Sequence, residues 1–157
     1  MELYLLRHGI AENAGPGMPD AERALTGEGK EKLRRVLKQA GIEPSLILSS
    51  PYKRAVETAE IAAGVLGYEG KVVQTRALVP EGSPQGVWEE LRSRKGEPAV
   101  LLAGHEPLMS ALTAYLLNTP ALQVDMKKAA LVRIDCERVG PEPRGILKWM
   151  LTPAVSA

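Results

Sequence analysis

Short continuous apolar runs alternate with longer stretches in which apolar residues recur at helical spacing. The runs over Glu2–Leu6, Leu46–Ser49, Lys71–Thr75 and Ala99–Ala103 read as strands, and their unbroken apolar character fits strands covered on both faces. Between them, Thr26 is placed to cap a helix running to Ala40, with Leu33, Val36, Leu37 and Ala40 on one face and Gly41 as its stop. Ser50 followed by Pro51 reads as a cap and first residue of a second helix, ending near Leu66, with Ala55, Ala59, Ala62 and Leu66 as a stripe for close packing. A loop over Pro80–Pro84 precedes a short helix around Val87–Ser93, and another helix follows "GHEP" and runs to about Leu117. The segments "KAALVRID" and "GILKWMLT", either side of a Gly- and Pro-containing turn, read as an antiparallel hairpin. This order predicts an α/β domain of three layers, a mainly parallel sheet flanked by helices on both faces with a C-terminal antiparallel hairpin. The connection from Gly9 to Leu25 is long and polar, which marks it as functional or mobile.

Composition narrows the class. With 157 residues, 45% hydrophobic and 25% charged, the chain is expected to form one soluble domain over residues 1–157. A net charge of +1 with scattered Lys and Arg, 4% aromatic content and no Phe give no nucleic-acid signature. No apolar run approaches the roughly 20 residues of a membrane span, and Met1 leads straight into the first strand without a signal peptide, so a cytoplasmic location is the expectation. The single cysteine, Cys136, falls in an expected strand and reads as a small apolar residue.

Three expected strands end in polar clusters: Arg7-His8-Gly9, Ser49-Ser50-Pro51 with Arg54 just beyond, and Gly104-His105-Glu106. Taken singly, each has an ordinary reading as a strand-end, capping or solvated residue. Taken together, they would converge, because open α/β sheets build their sites outside the carboxyl ends of the strands. Both histidines of the chain would then face one site together with two arginines. That set suits phosphoryl transfer: guanidinium forks match phosphate oxygens, a neutral imidazole can attack phosphorus, and a second imidazole can donate to the transferring group. Cations beside an imidazole lower its pKa and keep it available as a nucleophile. A metal site is disfavoured, since arginines repel a cation and two histidines are too few ligands for zinc. Neither Ser50 nor Ser110 lies in a nucleophile elbow, and no glycine-rich nucleotide loop is present.

"LRHG" near the N-terminus, "SSPYKRAVETA" after the second strand and "GHEP" after a later one resemble the histidine phosphatase superfamily, whose fold is phosphoglycerate-mutase-like. "DAERALTGEG" and the ending with Trp149 and "LTP" are similar to its small bacterial phosphohistidine phosphatases, which act on phosphoproteins. The resemblance covers nearly the whole chain. It implies that His8 accepts the phosphoryl group, that Arg7 and Arg54 clamp the phosphate, and that His105 stabilises the group in transfer. It makes Gly9, Ser49 and Ser50 supporting phosphate-site residues and Thr58 a brace for Arg54. Asp20 and Arg23 would order the loop over the site or form a plain surface ion pair. No cofactor and no metal are implied, and the partner expected is a protein carrying phosphohistidine, with neither nucleic acid nor membrane involved.

One departure bears on substrate. Other branches carry a glutamate acid after the third strand, and here "LVPEGSP" puts Pro80 in that slot with Glu81 one residue later. Glu81 is the candidate acid, with Glu106 and Glu12 as weaker ones. A departing imidazole carries its own proton, whereas a departing alkoxide needs one supplied. The short connections also predict a shallow, open site. Three readings follow: a phosphohistidine phosphatase, a phosphatase of small phosphate esters using Glu81, or a phosphate-binding module without turnover.

Overall fold

The computed structural model describes residues 1–156. In chain order its main elements are β1 (Glu2–Arg7), α1 (Gly27–Ala40), β2 (Leu46–Ser49), α2 (Lys53–Leu66), β3 (Val72–Gln74), α3 (Pro84–Arg92), β4 (Ala99–Gly104), α4 (Leu108–Leu116), β5 (Leu131–Asp135) and β6 (Ile146–Leu151). The six strands form one sheet in the order β3-β2-β4-β1-β5-β6. The pairs β2–β3, β2–β4 and β1–β4 are parallel, and β5 and β6 extend the sheet antiparallel, as the C-terminal hairpin pattern predicts. The fold is the three-layer α/β architecture expected from the sequence.

Alternation along the strands divides the core between the two faces. Leu3, Leu5, Leu48, Val100 and Leu102 point to one side, where Trp88 and Leu91 of α3 and Leu108, Met109 and Leu112 of α4 cover them. Tyr4, Leu6, Ile47, Leu101 and Ala103 point to the other, against Leu33, Val36 and Leu37 of α1 and Ala59 and Ala62 of α2. Both α1 limits follow from local chemistry. The Thr26 hydroxyl accepts from the Gly29 N–H at 2.9 Å, and Gly41 closes the helix in the left-handed region at φ 56°.

Two local expectations change. α2 starts at Lys53 rather than at Pro51, and its cap position, Tyr52, makes no side-chain capping bond. The Ser50 hydroxyl does accept from the Tyr52 N–H at 3.2 Å, but it is also committed to a second partner described below. Cys136 lies one residue past β5 and is buried, which pushes its thiol up to about 11. Among the described residues, no helix is long and apolar enough to cross a membrane.

The strand order places the turning point of the sheet between β1 and β4. The helices that follow these two strands, α1 and α4, pack on opposite faces. Their carboxyl ends therefore open a crevice of the kind that holds ligands in such sheets.

Candidate active site

Arg7 and Gly104 are paired in register, and the His8 N–H donates to the Gly104 carbonyl at 3.0 Å. His8 and His105 thus leave the sheet as neighbours, with ring centroids 5.1 Å apart. Across β4, Ser49 pairs with Ala103 and the Ser50 N–H donates to the Ala103 carbonyl at 3.0 Å. Arg54, in the first turn of α2, brings its Nε to 3.3 Å from His8 Nε2. The three polar clusters of the sequence meet in one place.

Hydrogen bonds fix which nitrogen of His8 is free. Its Nδ1 lies 2.7 Å from the Gly9 carbonyl, which can only accept, so Nδ1 carries the proton. Nε2 keeps its lone pair and faces the Arg54 guanidinium. His105 is held differently. Its Nε2 lies 2.8 Å from Ser50 Oγ, a hydroxyl that accepts from the Tyr52 N–H and still has a hydrogen and a second lone pair to offer, so this bond forms with either tautomer. Its Nδ1 is buried and has no partner among the described residues.

Both imidazoles are neutral at pH 7. His8 is pushed down to about 4, chiefly by burial, with the positive charges of Arg54, Arg7 and Lys128 adding to it. His105 is pushed down to about 3, again chiefly by burial, then by His8 and Arg54. The cationic surroundings expected from the sequence act as predicted, but desolvation is the larger cause. Cationic arginines held beside neutral imidazoles make a pocket selective for an anion.

Arg7 is fixed by a 2.7 Å bond from Nη1 to the Met126 carbonyl, while its Nε is buried without a partner. Gly9 serves as a backbone support: its carbonyl holds His8 and its N–H donates to Thr58 Oγ1 at 3.3 Å, so that N–H is not open to a ligand. Thr58 in turn donates to the Arg54 carbonyl at 2.7 Å, which ties the start of α2 to the end of β1. The Ser49 hydroxyl donates to the Ser50 carbonyl at 2.8 Å and shapes the turn without reaching either imidazole.

The long loop closes onto this site. Asp20 accepts from Arg54 Nη2 at 3.1 Å and from Arg23 Nη1 at 3.0 Å, and its carbonyl accepts from Arg54 Nη1 at 2.9 Å. Asp20 and Arg23 are therefore more than a surface pair. His8 is only 6% and His105 1% exposed, so both imidazoles are largely covered.

The acid candidates separate clearly. Glu106 accepts from the Ser110 N–H at 2.7 Å and caps α4. Glu81 and Glu12 are exposed, and neither side chain makes a hydrogen bond or ion pair among the described residues. No carboxylate among the described residues bonds to either imidazole, and no cluster there has the makings of a metal site.

Sequence reasoning missed Tyr52. Its ring meets His105 edge-on at 5.1 Å and lies beneath the Arg54 guanidinium at 5.2 Å, so it walls the pocket between them. Its position inside "SSPYKR", between two site residues, was the available signal.

Known proteins share this fold. Residues 3–79 match the family model of the histidine phosphatase superfamily, branch 1. An uncharacterized protein of Picosynechococcus is 35% identical over 139 residues, covering 84% of this chain and 83% of that one. A solved structure of the protein histidine phosphatase SixA complexed with tungstate superposes with a TM-score of 0.81 at 26% identity, covering 98% of each chain. A structure from Agrobacterium tumefaciens, assigned as a phosphohistidine phosphatase SixA, shares the fold with a TM-score of 0.79 at 22% identity, covering 97% of this chain and 98% of that one.

Proposed function

The chain belongs to the histidine phosphatase superfamily and is a phosphatase, and from that premise we propose that it removes the phosphoryl group from phosphohistidine on a protein by way of a phospho-His8 intermediate. The observation that carries this reading is His8 Nε2, unprotonated beside the Arg54 guanidinium, with the His105 ring 5.1 Å away and its buried Nδ1 unpartnered among the described residues.

In the first step the phosphate takes over the Arg54 donors now held by Asp20 and His8, together with the unpartnered Nε of Arg7. The His8 Nε2 lone pair forms a bond to phosphorus as the P–N bond of the substrate breaks. The leaving imidazole keeps that electron pair and the proton on its other nitrogen, and departs neutral. His105 Nδ1–H donates to a phosphoryl oxygen as charge shifts onto it. In the second step water attacks phosphorus, the P–Nε2 bond breaks, and His8 regains its lone pair while the proton of the water leaves with the phosphate. Throughout, the Gly9 carbonyl holds the proton on His8 Nδ1.

The choice of phosphohistidine over an ester rests on the acid. An alkoxide leaving group needs a proton, and the carboxylate bonded to the site arginine Arg54 is Asp20, held below the usual range first by Arg23 and then by Arg54. It is ionised at neutral pH and makes a poor donor. The tungstate complex of the SixA protein, with a tetrahedral oxyanion in the same fold, supports an anion pocket of this kind here.

The test compares phosphohistidine, alkyl phosphate and aryl phosphate as substrates for the wild type, His8→Ala and Glu81→Gln. The expected result is turnover of phosphohistidine that disappears in His8→Ala and persists in Glu81→Gln. Preferential turnover of alkyl phosphates that collapses in Glu81→Gln would replace this reading with that of an esterase.

A further inference from the structure

Arg7 also lines an open groove of about 650 Å³ whose other cationic walls are Lys32 and Arg35 of α1 and the adjacent Lys127 and Lys128. Ile10 and Pro153 give it an apolar portion. Five positive side chains on one groove stand out in a chain whose net charge is only +1.

The groove is fastened to the site by backbone. The Arg7 N–H donates to the Ala130 carbonyl at 3.0 Å, and the Ala129 N–H bridges the Arg7 and His8 carbonyls at 3.2 Å. Together with the bond from Arg7 Nη1 to Met126, these contacts lock the turn carrying Lys127 and Lys128 to the end of β1. Lys128 is near enough to act on the charge state of His8. Arg35 donates to the Pro153 carbonyl and to Ser156 Oγ, both at 3.3 Å and both neutral partners. Glu28 faces Lys32 at 3.0 Å and Asp125 faces Lys127 at 2.9 Å, and both pairs are solvent-exposed and readily exchanged.

We propose that this groove receives an acidic segment of the substrate protein next to its phosphorylated side chain. The proposal rests on the phosphohistidine reading and adds which protein surfaces are accepted. The charges come from separate segments, the end of β1, α1 and the Lys127–Lys128 turn, and the apolar Ile10 and Pro153 lining the same groove suit a polypeptide better than a small polyanion. Arg7 joins the two regions, so a segment seated in the groove delivers its phosphoryl group toward His8. Such charge complementarity acts mainly on association and on choice of partner.

The experiment uses three phosphohistidine peptides of equal length, flanked by glutamates, glutamines or lysines, with the wild type and the double variant Lys32→Glu/Lys127→Glu. The wild type should favour the acidic over the neutral peptide by about tenfold in kcat/KM, through KM, with the preference fading near 0.5 M salt as screening shortens to a few ångströms. The double variant should lose that preference and favour the lysine-flanked peptide. A wild type indifferent to the flanks, or a variant that slows on all peptides while keeping the acidic preference, would overturn the proposal. So would inhibition by tripolyphosphate that depends on these lysines when the flanks have no effect, which would mark a small-anion site. Turnover of none of the peptides would remove the phosphohistidine reading and the groove with it, a result distinct from turnover without preference.

Discussion

Asp20 grips Arg54 from an exposed loop: its Oδ2 lies 3.1 Å from the Nη2 of a guanidinium whose side chain is only 6% exposed. This carboxylate holds donors that an incoming phosphate needs. Asp20→Asn removes the competing charge, so inorganic phosphate should inhibit about two- to fivefold more tightly, the range expected for a partly exposed ion pair. The same change loosens the loop, so limited proteolysis between Gly9 and Leu25 should quicken. Weaker phosphate inhibition in Asp20→Asn would show that Asp20 shapes the pocket without competing for it.

The two buried histidines set the acid limb. In the unfolded chain each titrates near 6.5, and in the folded chain at about 4 and about 3. Between about pH 6.5 and 4 the unfolded state therefore binds more protons, and stability falls as the pH is lowered through that window. Each histidine carries on the order of 3 kcal/mol of this dependence. The melting temperature should drop steeply below pH 6, and His8→Ala should flatten the slope. Activity should show no inflection near pH 6.5 and should decline only as His8 takes up a proton near pH 4. An activity midpoint at 6.5 would mean that the nucleophile is not the desolvated imidazole.

Ser50 holds the ring of His105 through its Nε2. Removing its hydroxyl in Ser50→Ala deletes the 2.8 Å bond to Nε2, and the site is fully buried, so about 1–3 kcal/mol of stability should be lost. Catalysis should suffer more than substrate binding, because the ring that donates to the phosphoryl group is no longer held in place. We expect kcat to fall about 10- to 100-fold with little change in KM, in the range for losing one preorganised donor. Nitrogen NMR of His105 should show the balance of its tautomers shift once the bond to Nε2 is gone. An unchanged tautomer with an unchanged kcat would leave Ser50 a packing residue only.

How far the sequence reveals this site depends on whether a residue's signal is local. Arg7, His8 and His105 are visible because apolar strands break abruptly into polar residues, and the strand order brings those breaks together. The limits of α1 are visible because Thr26 and Gly41 act on their own neighbours. The start of α2 is misjudged because the Ser50 hydroxyl serves His105, a residue from another strand, besides the Tyr52 amide. Asp20 looks like a surface residue until the loop folds back, and nothing near it in the chain announces Arg54 as its partner. The basic groove is invisible in a scattered charge pattern, since Lys32 and Lys127 come from segments far apart.

Gly29 offers a test of the close approach that holds His8 in place. Replacing a helical glycine by alanine ordinarily stabilises by up to about 1 kcal/mol. At Gly64 of α2 nothing lies within 4 Å of the added methyl, so Gly64→Ala should follow that rule. At Gly29 the methyl would collide with the backbone oxygen and nitrogen of Ile10, atoms that cannot swing aside as a flexible side chain would. Gly9 faces the same helix, with its own added methyl 2.8 Å from Leu33 Cδ1, so neither side of this contact has room to spare. α1 must back away or the Gly9–Ile10 turn must move, and the Gly9 carbonyl that fixes His8 Nδ1 moves with it. Gly29→Ala should therefore cost about 1–3 kcal/mol in thermal unfolding and lower kcat even at temperatures where the variant is fully folded. A Gly29→Ala protein as stable and as active as Gly64→Ala would show that the approach of α1 to β1 plays no part in setting the nucleophile.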